Sequence, residues 1–262
     1  MRDENAKLIV SGMGSGKSGA ALDAARGLLD RFEAHHILII GPLLVAQNTW
    51  PDEIETWEHT RAISYAVAVG TPEERAAAID QRAEITTINF ENLQWLAKHI
   101  KSVNNWFWDT VIIDESSRFK AGEKRTKTTK VKSASGEVKV NKGGNQTRFG
   151  VMTTARQKIS RIYELTGTPT PNGLYDLWGQ IYLLDQGQRL GRAKTEFEQR
   201  WFDKNPYTYA ITPKANAEAE IMAAISDIMV TIPPEKVTDD ALFIPMSVTL
   251  PDKAMRDYLA FE

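Results

Sequence analysis

Eight consecutive residues, Ser11-Gly12-Met13-Gly14-Ser15-Gly16-Lys17-Ser18, have the composition of a cradle for a polyphosphate. Residues without a Cβ let successive backbone N–H groups turn inward around one anion. Gly12, Gly14 and Gly16 supply that freedom, and Met13 and Ser15 complete the loop. Lys17 brings a point charge to the outer phosphates, and the Ser18 hydroxyl is placed to ligate Mg²⁺. The general pattern begins with glycine, and Ser11 stands in that position. Far downstream, the apolar run Val111-Ile112-Ile113 ends in two carboxylates, Asp114 and Glu115. In such a pair the first holds the metal and the second polarises an attacking water. Alone, each segment also reads as a plain glycine turn or a solvated acidic pair. Together they predict a site for ATP with Mg²⁺.

Both segments need elements that hold them at one place. Strand-like runs occupy 6–11, 36–41, 63–69, 84–89, 109–114 and 161–166, with helical spacing at 17–30, 44–58, 72–81, 90–100, 151–160 and 173–185. Ala20, Ala21, Ala24, Ala25, Leu28 and Leu29 recur on one helical face directly after the loop. Strands alternating with helices, and apolar rather than alternating strands, predict an α/β fold with a mostly parallel sheet covered on both faces. Such sheets bind ligands at the carboxyl ends of their strands. The phosphate loop, Asp114-Glu115 and Thr166-Gly167-Thr168 all follow strands, so one edge can gather all three. Beyond residue 190, Thr195–Phe202 and Ala215–Met229 look helical, Tyr207–Ile211 has the pattern of a short strand, and Pro233-Pro234 marks a break.

At these residues the chain resembles the superfamily-two helicases, specifically their Swi/Snf-like branch of DNA translocases. Ser11–Ser18 is similar to the first motif of that branch. Leu38–Leu44 with Trp50-Pro51-Asp52-Glu53-Ile54 and Trp57 resembles the next, and Thr87–Leu93 a third. Val111–Lys120 resembles the acidic motif with Asp-Glu-Ser-Ser, and Leu165–Asn172 with Leu177-Trp178 the coupling motif. The versions carried by bacteriophages and prophages look most alike. The resemblance implies a RecA-like P-loop NTPase lobe that hydrolyses ATP to move along or unwind DNA, single- or double-stranded. It implies that Thr166, Gly167 and Thr168 sense the outer phosphate; a turn whose hydroxyls merely cap the next helix is the alternative. It further implies DNA-backbone contacts from Pro42, Leu43 and Leu44, from Gln47 and Asn48, and from Asn89 to Asn92. Ser117 replaces an imidazole-bearing residue of relatives at the link between hydrolysis and movement.

The resemblance stops before the family's second lobe, which supplies arginines to the reaction. Residues 1–190 are therefore expected to form the ATP-binding lobe, and 191–262 a helical extension leading toward an absent second lobe. A second RecA-like lobe, in a longer protein or a partner chain, is then required, and only weak activity is expected without it. A non-catalytic nucleotide-dependent nucleic-acid-binding module and a P-loop kinase are the competing classes.

Composition sets the remaining bounds. With 262 residues, 42% hydrophobic and 25% charged, the chain is ordinary for a globular domain. No apolar run approaches the ~18 residues of a membrane span, and the charged start is no secretory signal. A cytoplasmic location is expected, the host cytoplasm if the gene is phage-borne. There are no cysteines, hence no disulfide framework or thiolate metal site. The four histidines lack metal-ligand spacing. A net charge of −2 argues against a chain that coats nucleic acid, but nine basic residues face two glutamates between 120 and 148. That segment is low in apolar residues and reads as a mobile insertion, either merely solvated or a basic arm on DNA phosphates. The tryptophans at 50, 57, 95, 106 and 108 read as packing rather than base stacking.

Overall fold

The computed structural model describes residues 5–12, 14–101, 103–119, 131–132, 138–139, 147–208 and 210–233. Met13, most of the basic insertion and residues 234–262 lie outside the described residues. Strands are β1 (Ala6–Ser11), β2 (Ile37–Gly41), β3 (Tyr65–Ala68), β4 (Ile85–Asn89), β5 (Thr110–Asp114), β6 (Val131–Lys132), β7 (Val138–Lys139), β8 (Arg161–Thr166), β9 (Phe202–Lys204), β10 (Ile211–Pro213) and β11 (Met229–Ile232). Helices are α1 (Lys17–Asp30), α2 (Trp50–Thr56), α3 (Pro72–Asp80), α4 (Leu93–His99), α5 (Arg148–Ala155), α6 (Leu177–Asp185), α7 (Lys194–Trp201) and α8 (Ala217–Ile225).

Seven strands form one sheet in the order β11-β1-β8-β5-β2-β4-β3, and every neighbouring pair is parallel. β9 and β10 form a separate antiparallel pair, as do β6 and β7. All six strands read from apolar runs are present. The seventh, β11, comes from the segment beyond residue 190. The helical reading of 215–229 ends early, because α8 stops at Ile225 and β-branched Val230-Thr231-Ile232 pairs alongside β1.

Alternation along the strands divides the core into two layers. Leu38, Ile40, Val111, Ile113 and Ile162 pack on one face with α4, α5 and α6. Ile37, Ile39, Ile112, Tyr163 and Leu165 pack on the other against Leu22 and Leu28 of α1 and Trp50 and Ile54 of α2. Strands β2, β4 and β5 are buried along their whole length, as a sheet with helices on both faces requires. Local signals agree with this frame. Thr71 and Glu74 form a reciprocal capping box at the start of α3, and the Thr147 hydroxyl accepts from the Gly150 N–H at the start of α5. Because the strands are parallel and in close register, Ser11, Gly41, Asn89, Asp114 and Thr166 all end at one edge. Among the described residues no helix is long and apolar enough to cross a membrane.

Candidate nucleotide site

The phosphate loop leaves β1 at Ser11, which is buried with its hydroxyl unpartnered. Gly14 and Gly16 have φ of 71° and 74°, a region that L side chains rarely adopt. A Cβ at either would meet nothing within 4 Å, so the torsion rather than crowding calls for glycine. Gly16 is the N-cap of α1, which has no side-chain cap and no acidic residue in its first turn. The helix thus presents free N–H groups and its positive end to the loop, the arrangement that holds an anion. The Lys17 ammonium donates to the carbonyls of Ser11 (2.7 Å) and Gly12 (2.8 Å), and Ser15 donates to Gly12 O at 2.8 Å. Ser18 follows in the first turn, half-buried.

Across the edge, Asp114 ends β5 with only 8% exposure. Its Oδ2 accepts from the indole N–H of fully buried Trp50 at 3.2 Å. Burial first, and then the charge of Glu115, hold the Asp114 carboxyl above the usual carboxylate range; the Trp50 bond and the Lys17 charge act the other way. That influence of Lys17 brings the loop and the acidic strand end into one electrostatic neighbourhood. Gly41, at the end of β2, lies directly beside it: a Cβ there would be in ordinary contact, 3.6 Å from the Asp114 Cβ. Glu115 is left-handed (φ 56°, ψ 52°) and partly exposed. A non-glycine residue in that region is strained, and such strain concentrates at functional turns.

The third turn adjoins both. Thr166 is buried, and its hydroxyl accepts from the Thr168 N–H at 3.2 Å. A Cβ on Gly167 would lie 3.6 Å from the Ser11 carbonyl, so this turn runs against the exit of the phosphate loop. Sequence reasoning missed Gln180. It is fully buried in α6, where Ser116 Oγ donates to its Oε1 (2.9 Å) and its Nε2 donates to Pro169 O (2.7 Å). A lone amide in the otherwise apolar stretch Leu177–Leu184 was the available signal.

The residues expected to touch nucleic acid divide in two. Pro42 is half-buried, Leu43 and Leu44 are exposed, and Gln47 and Asn48 are exposed on a π-helical turn, Val45–Thr49, leading into α2. Pro51 lacks the N–H that an α-helix would direct to Gln47 O, and the Trp50 N–H instead bonds Val45 O, five residues back. Asn89 is buried: its amide donates to Glu91 (2.8 Å) and its carbonyl accepts from Asn92. Asn92 also accepts from Arg75, whose guanidinium lies 4.3 Å from the Trp95 ring centroid. Trp106 and Trp108 pack edge to face in the core. A cavity of about 350 Å³ opens beside the loop, with Ser15, Gly16, Lys17, Ala20, Leu165 and Val230 among its walls.

A parallel sheet whose carboxyl edge unites a phosphate loop, a buried acidic strand end and a third turn defines a RecA-like P-loop nucleotide-binding fold. The chain belongs to the SNF2-related domain family, which matches residues 3–140, more than half its length. It is 35% identical over 260 residues to putative protein p41 of Acyrthosiphon pisum secondary endosymbiont phage 1, covering 96% of this chain and 52% of that protein. It is 27% identical over 192 residues to the DNA excision repair protein ERCC-6-like of Mus musculus, covering 72% of this chain and 14% of that one. The chain thus spans about half the length of the first relative and far less of the second. Among solved structures, the Sulfolobus solfataricus SWI2/SNF2 ATPase core in complex with dsDNA superposes with a TM-score of 0.63 at 21% identity, over 88% of this chain and 40% of that one. The same core without DNA gives 0.56 at 19% identity, over 86% and 38%. These two share the fold.

Proposed function

We propose that this chain is the ATP-binding lobe of a DNA-dependent ATPase that couples hydrolysis to translocation on, or unwinding of, DNA. The observation that carries the reading is the convergence of three turns: Lys17 is bonded to the Ser11 carbonyl, Gly167 lies against that same carbonyl, and Asp114 pairs alongside Leu165 at the start of the third turn. The residues fit Mg·ATP: an uncapped helix start, glycines in left-handed conformation, a lysine held on loop carbonyls and a buried carboxyl. In this reading the Gly12–Ser18 backbone binds the phosphates and Lys17 leaves its carbonyls for them. Ser18 and Asp114 would hold Mg²⁺, which when bound stabilises charge on the transferring phosphoryl group. Glu115 orients a water and takes its proton. Thr166, Gly167 and Thr168 register the outer phosphate. The exposed turn carrying Pro42, Leu43, Gln47 and Asn48 faces the DNA backbone, and Asn89 and Asn92, at the end of the neighbouring strand β4, belong to the same DNA-facing edge. Residues 1–190 form the body of the lobe, β11 from the 191–262 extension completes its sheet, and the rest of that extension leads toward a second RecA-like lobe that completes the site. In this reading the chain works in a cytoplasm, that of the host if the gene is phage-borne.

Binding of a fluorescent ATP analogue, with and without Mg²⁺, tests the site; phosphate release tests turnover. The chain alone should bind in a Mg²⁺-dependent way and release phosphate slowly. A second RecA-like lobe plus DNA should raise release by roughly a thousandfold, the contribution of a trans-acting arginine in related enzymes. Absent binding overturns the reading. Binding without turnover under all conditions supports a non-catalytic module instead, and a phosphorylated acceptor would indicate a kinase.

A further inference from the structure

Glu164 has no role in the site described so far, and its surroundings are unusual. It sits in the middle of β8, opposite Leu8 of β1 on one side and Ile113 of β5 on the other. It is fully buried, and neither carboxyl oxygen makes a hydrogen bond. Sheet interiors rarely tolerate this, because a buried acceptor without a donor forfeits its hydration and gains nothing back. Burial holds the carboxyl well above the usual carboxylate range; the Ser116 hydroxyl is the one polar group that acts the other way. Ser116 is therefore near Glu164 while its hydrogen is directed elsewhere, to Gln180 Oε1 at 2.9 Å.

Ser116 belongs to the turn that follows Asp114 and Glu115. Gln180 holds the coupling turn through Pro169 O and the start of α6 through Asp176 O. Glu164 lies two residues before Thr166, on the same face of β8. Three polar side chains thus stand together in an apolar layer between the acidic turn and the coupling turn. One of the three lacks a partner.

We propose that Glu164 is a positioning residue, the second acceptor for the Ser116 hydroxyl, and that transfer of this hydroxyl from Gln180 to Glu164 reports the state of the acidic turn to Pro169 and α6. The inference rests on the nucleotide reading above. When Asp114 and Glu115 take up their load, the turn moves and the Ser116 O–H rotates onto the Glu164 carbonyl oxygen. Gln180 then loses its donor, and its hold on Pro169 and Asp176 loosens. No covalent bond or net proton changes hands. A buried acceptor left open in one state is what a two-position hydrogen bond requires, whereas leucine would suffice to fill the space.

Hydrogen exchange at residues 169–182, with and without Mg²⁺ and a non-hydrolysable ATP analogue, tests this on the whole chain. In the parent chain the analogue should change exchange there. Glu164→Leu should melt no lower than the parent and bind the analogue within about twofold, yet show a response at least threefold smaller. Glu164→Gln, which keeps a carbonyl acceptor, should restore the response. Ser116→Ala, which removes the transferable hydroxyl without touching the strand, should lose it. A parent-like response in Glu164→Leu or Ser116→Ala overturns the inference and leaves the nucleotide site intact. A parent chain that binds no analogue overturns both.

Discussion

Replacing Asp114 by asparagine should make the chain more stable and less functional, and the size of the effect follows from its surroundings. Burial and the neighbouring Glu115 hold the carboxyl above the usual range. A group whose folded pKa is raised contributes stability that is fully present below its unfolded pKa. That contribution is lost as pH rises through the folded value. At pH 8 the ionised form therefore weighs against folding, by about 1.4 kcal/mol for each tenfold displacement of the acid equilibrium. Asp114→Asn keeps the shape and removes the charge. It should gain on the order of 1 kcal/mol at pH 8, or about 2–4 °C in Tm for a chain of this size. The gain should shrink as pH falls through the raised value and vanish below the ordinary carboxylate range. The partner can be tested in the same assay. A hydrogen bond to a carboxylate is worth about 1.5–3 kcal/mol and one to an amide about 0.5–1.5. A double-mutant cycle of Trp50→Phe with Asp114→Asn should then show coupling of about 1 kcal/mol at pH 8, fading in acid. Urea unfolding followed by far-ultraviolet circular dichroism measures all four chains without relying on tryptophan emission. A less stable Asp114→Asn at pH 8, or coupling below about 0.3 kcal/mol, would refute the account of a desolvated carboxylate steadied by Trp50.

Three further outcomes are expected. Lys17→Ala should weaken binding of an ATP analogue by about ten- to a hundredfold in calorimetry, from a lost charge-assisted bond of about 1.5–3 kcal/mol, while unfolding changes by less than about 1 kcal/mol. Arg189 donates to Asp185 at the end of α6 and to Asp227 just before β11, at 2.9 Å for its Nε. Arg189→Ala should lose about 1 kcal/mol, mainly by removing the cation bonded to buried Asp185, whose oxygens still accept from the Gly187 and residue-189 N–H groups, because the exposed Asp227 pair is screened by water. Arg189 holds Asp227 below the usual carboxylate range, so that pair's share is present above ordinary carboxylate pKa values and is lost as pH falls through the depressed one; the gap between variant and parent should narrow in strong acid. At the left-handed position 115, Glu115→Gly should exceed Glu115→Ala in urea stability by about 1 kcal/mol, the reverse of the order expected where φ is negative. An alanine variant as stable as the glycine one would remove the strain from the account.

Most of the sheet was legible because its strands are long apolar runs bounded by turn residues. β11 was not, for a physical reason. It is a four-residue edge strand with Val230 and Ile232 exposed; β3 is an edge strand of the same length, but Ala66 and Ala68 alternate into the core there, a pattern that β11 lacks, so only its pairing with β1 defines it. The same contrast holds at the site. The loop Ser11–Ser18 and the pair Asp114-Glu115 are contiguous in sequence, and their chemistry can be read from neighbours. The bonds Trp50–Asp114 and Ser116–Gln180 each join residues 64 apart, and nothing local announces either one. Trp50 was read as packing, which it is, but its indole N–H also steadies the acidic strand end. Asn89 carries the type and position of a surface contact, yet the fold buries it and bonds its amide to Glu91 and Asn92.

The left-handed residue at the end of β5 explains how one strand end can serve two layers. In an extended strand residues i and i+2 share a face, so Asp114 and Ser116 would both lie on the side of α1 and α2. Asp114 does lie there, bonded to Trp50 of the second layer. Ser116 does not: it bonds Gln180 of α6, whose apolar neighbours belong to the first layer. The reversal happens at Glu115, the one residue between them, and costs about 1–2 kcal/mol in backbone strain. That local cost sets a carboxyl toward the phosphate loop and the helix entered from the Gln47 turn. It also sets a hydroxyl toward the coupling turn, and leaves Glu115 itself directed outward between them. In the proposed transfer, a displacement of Asp114 would pass through the peptide units around Glu115 to Ser116, and from there to Gln180, the buried amide that holds Pro169.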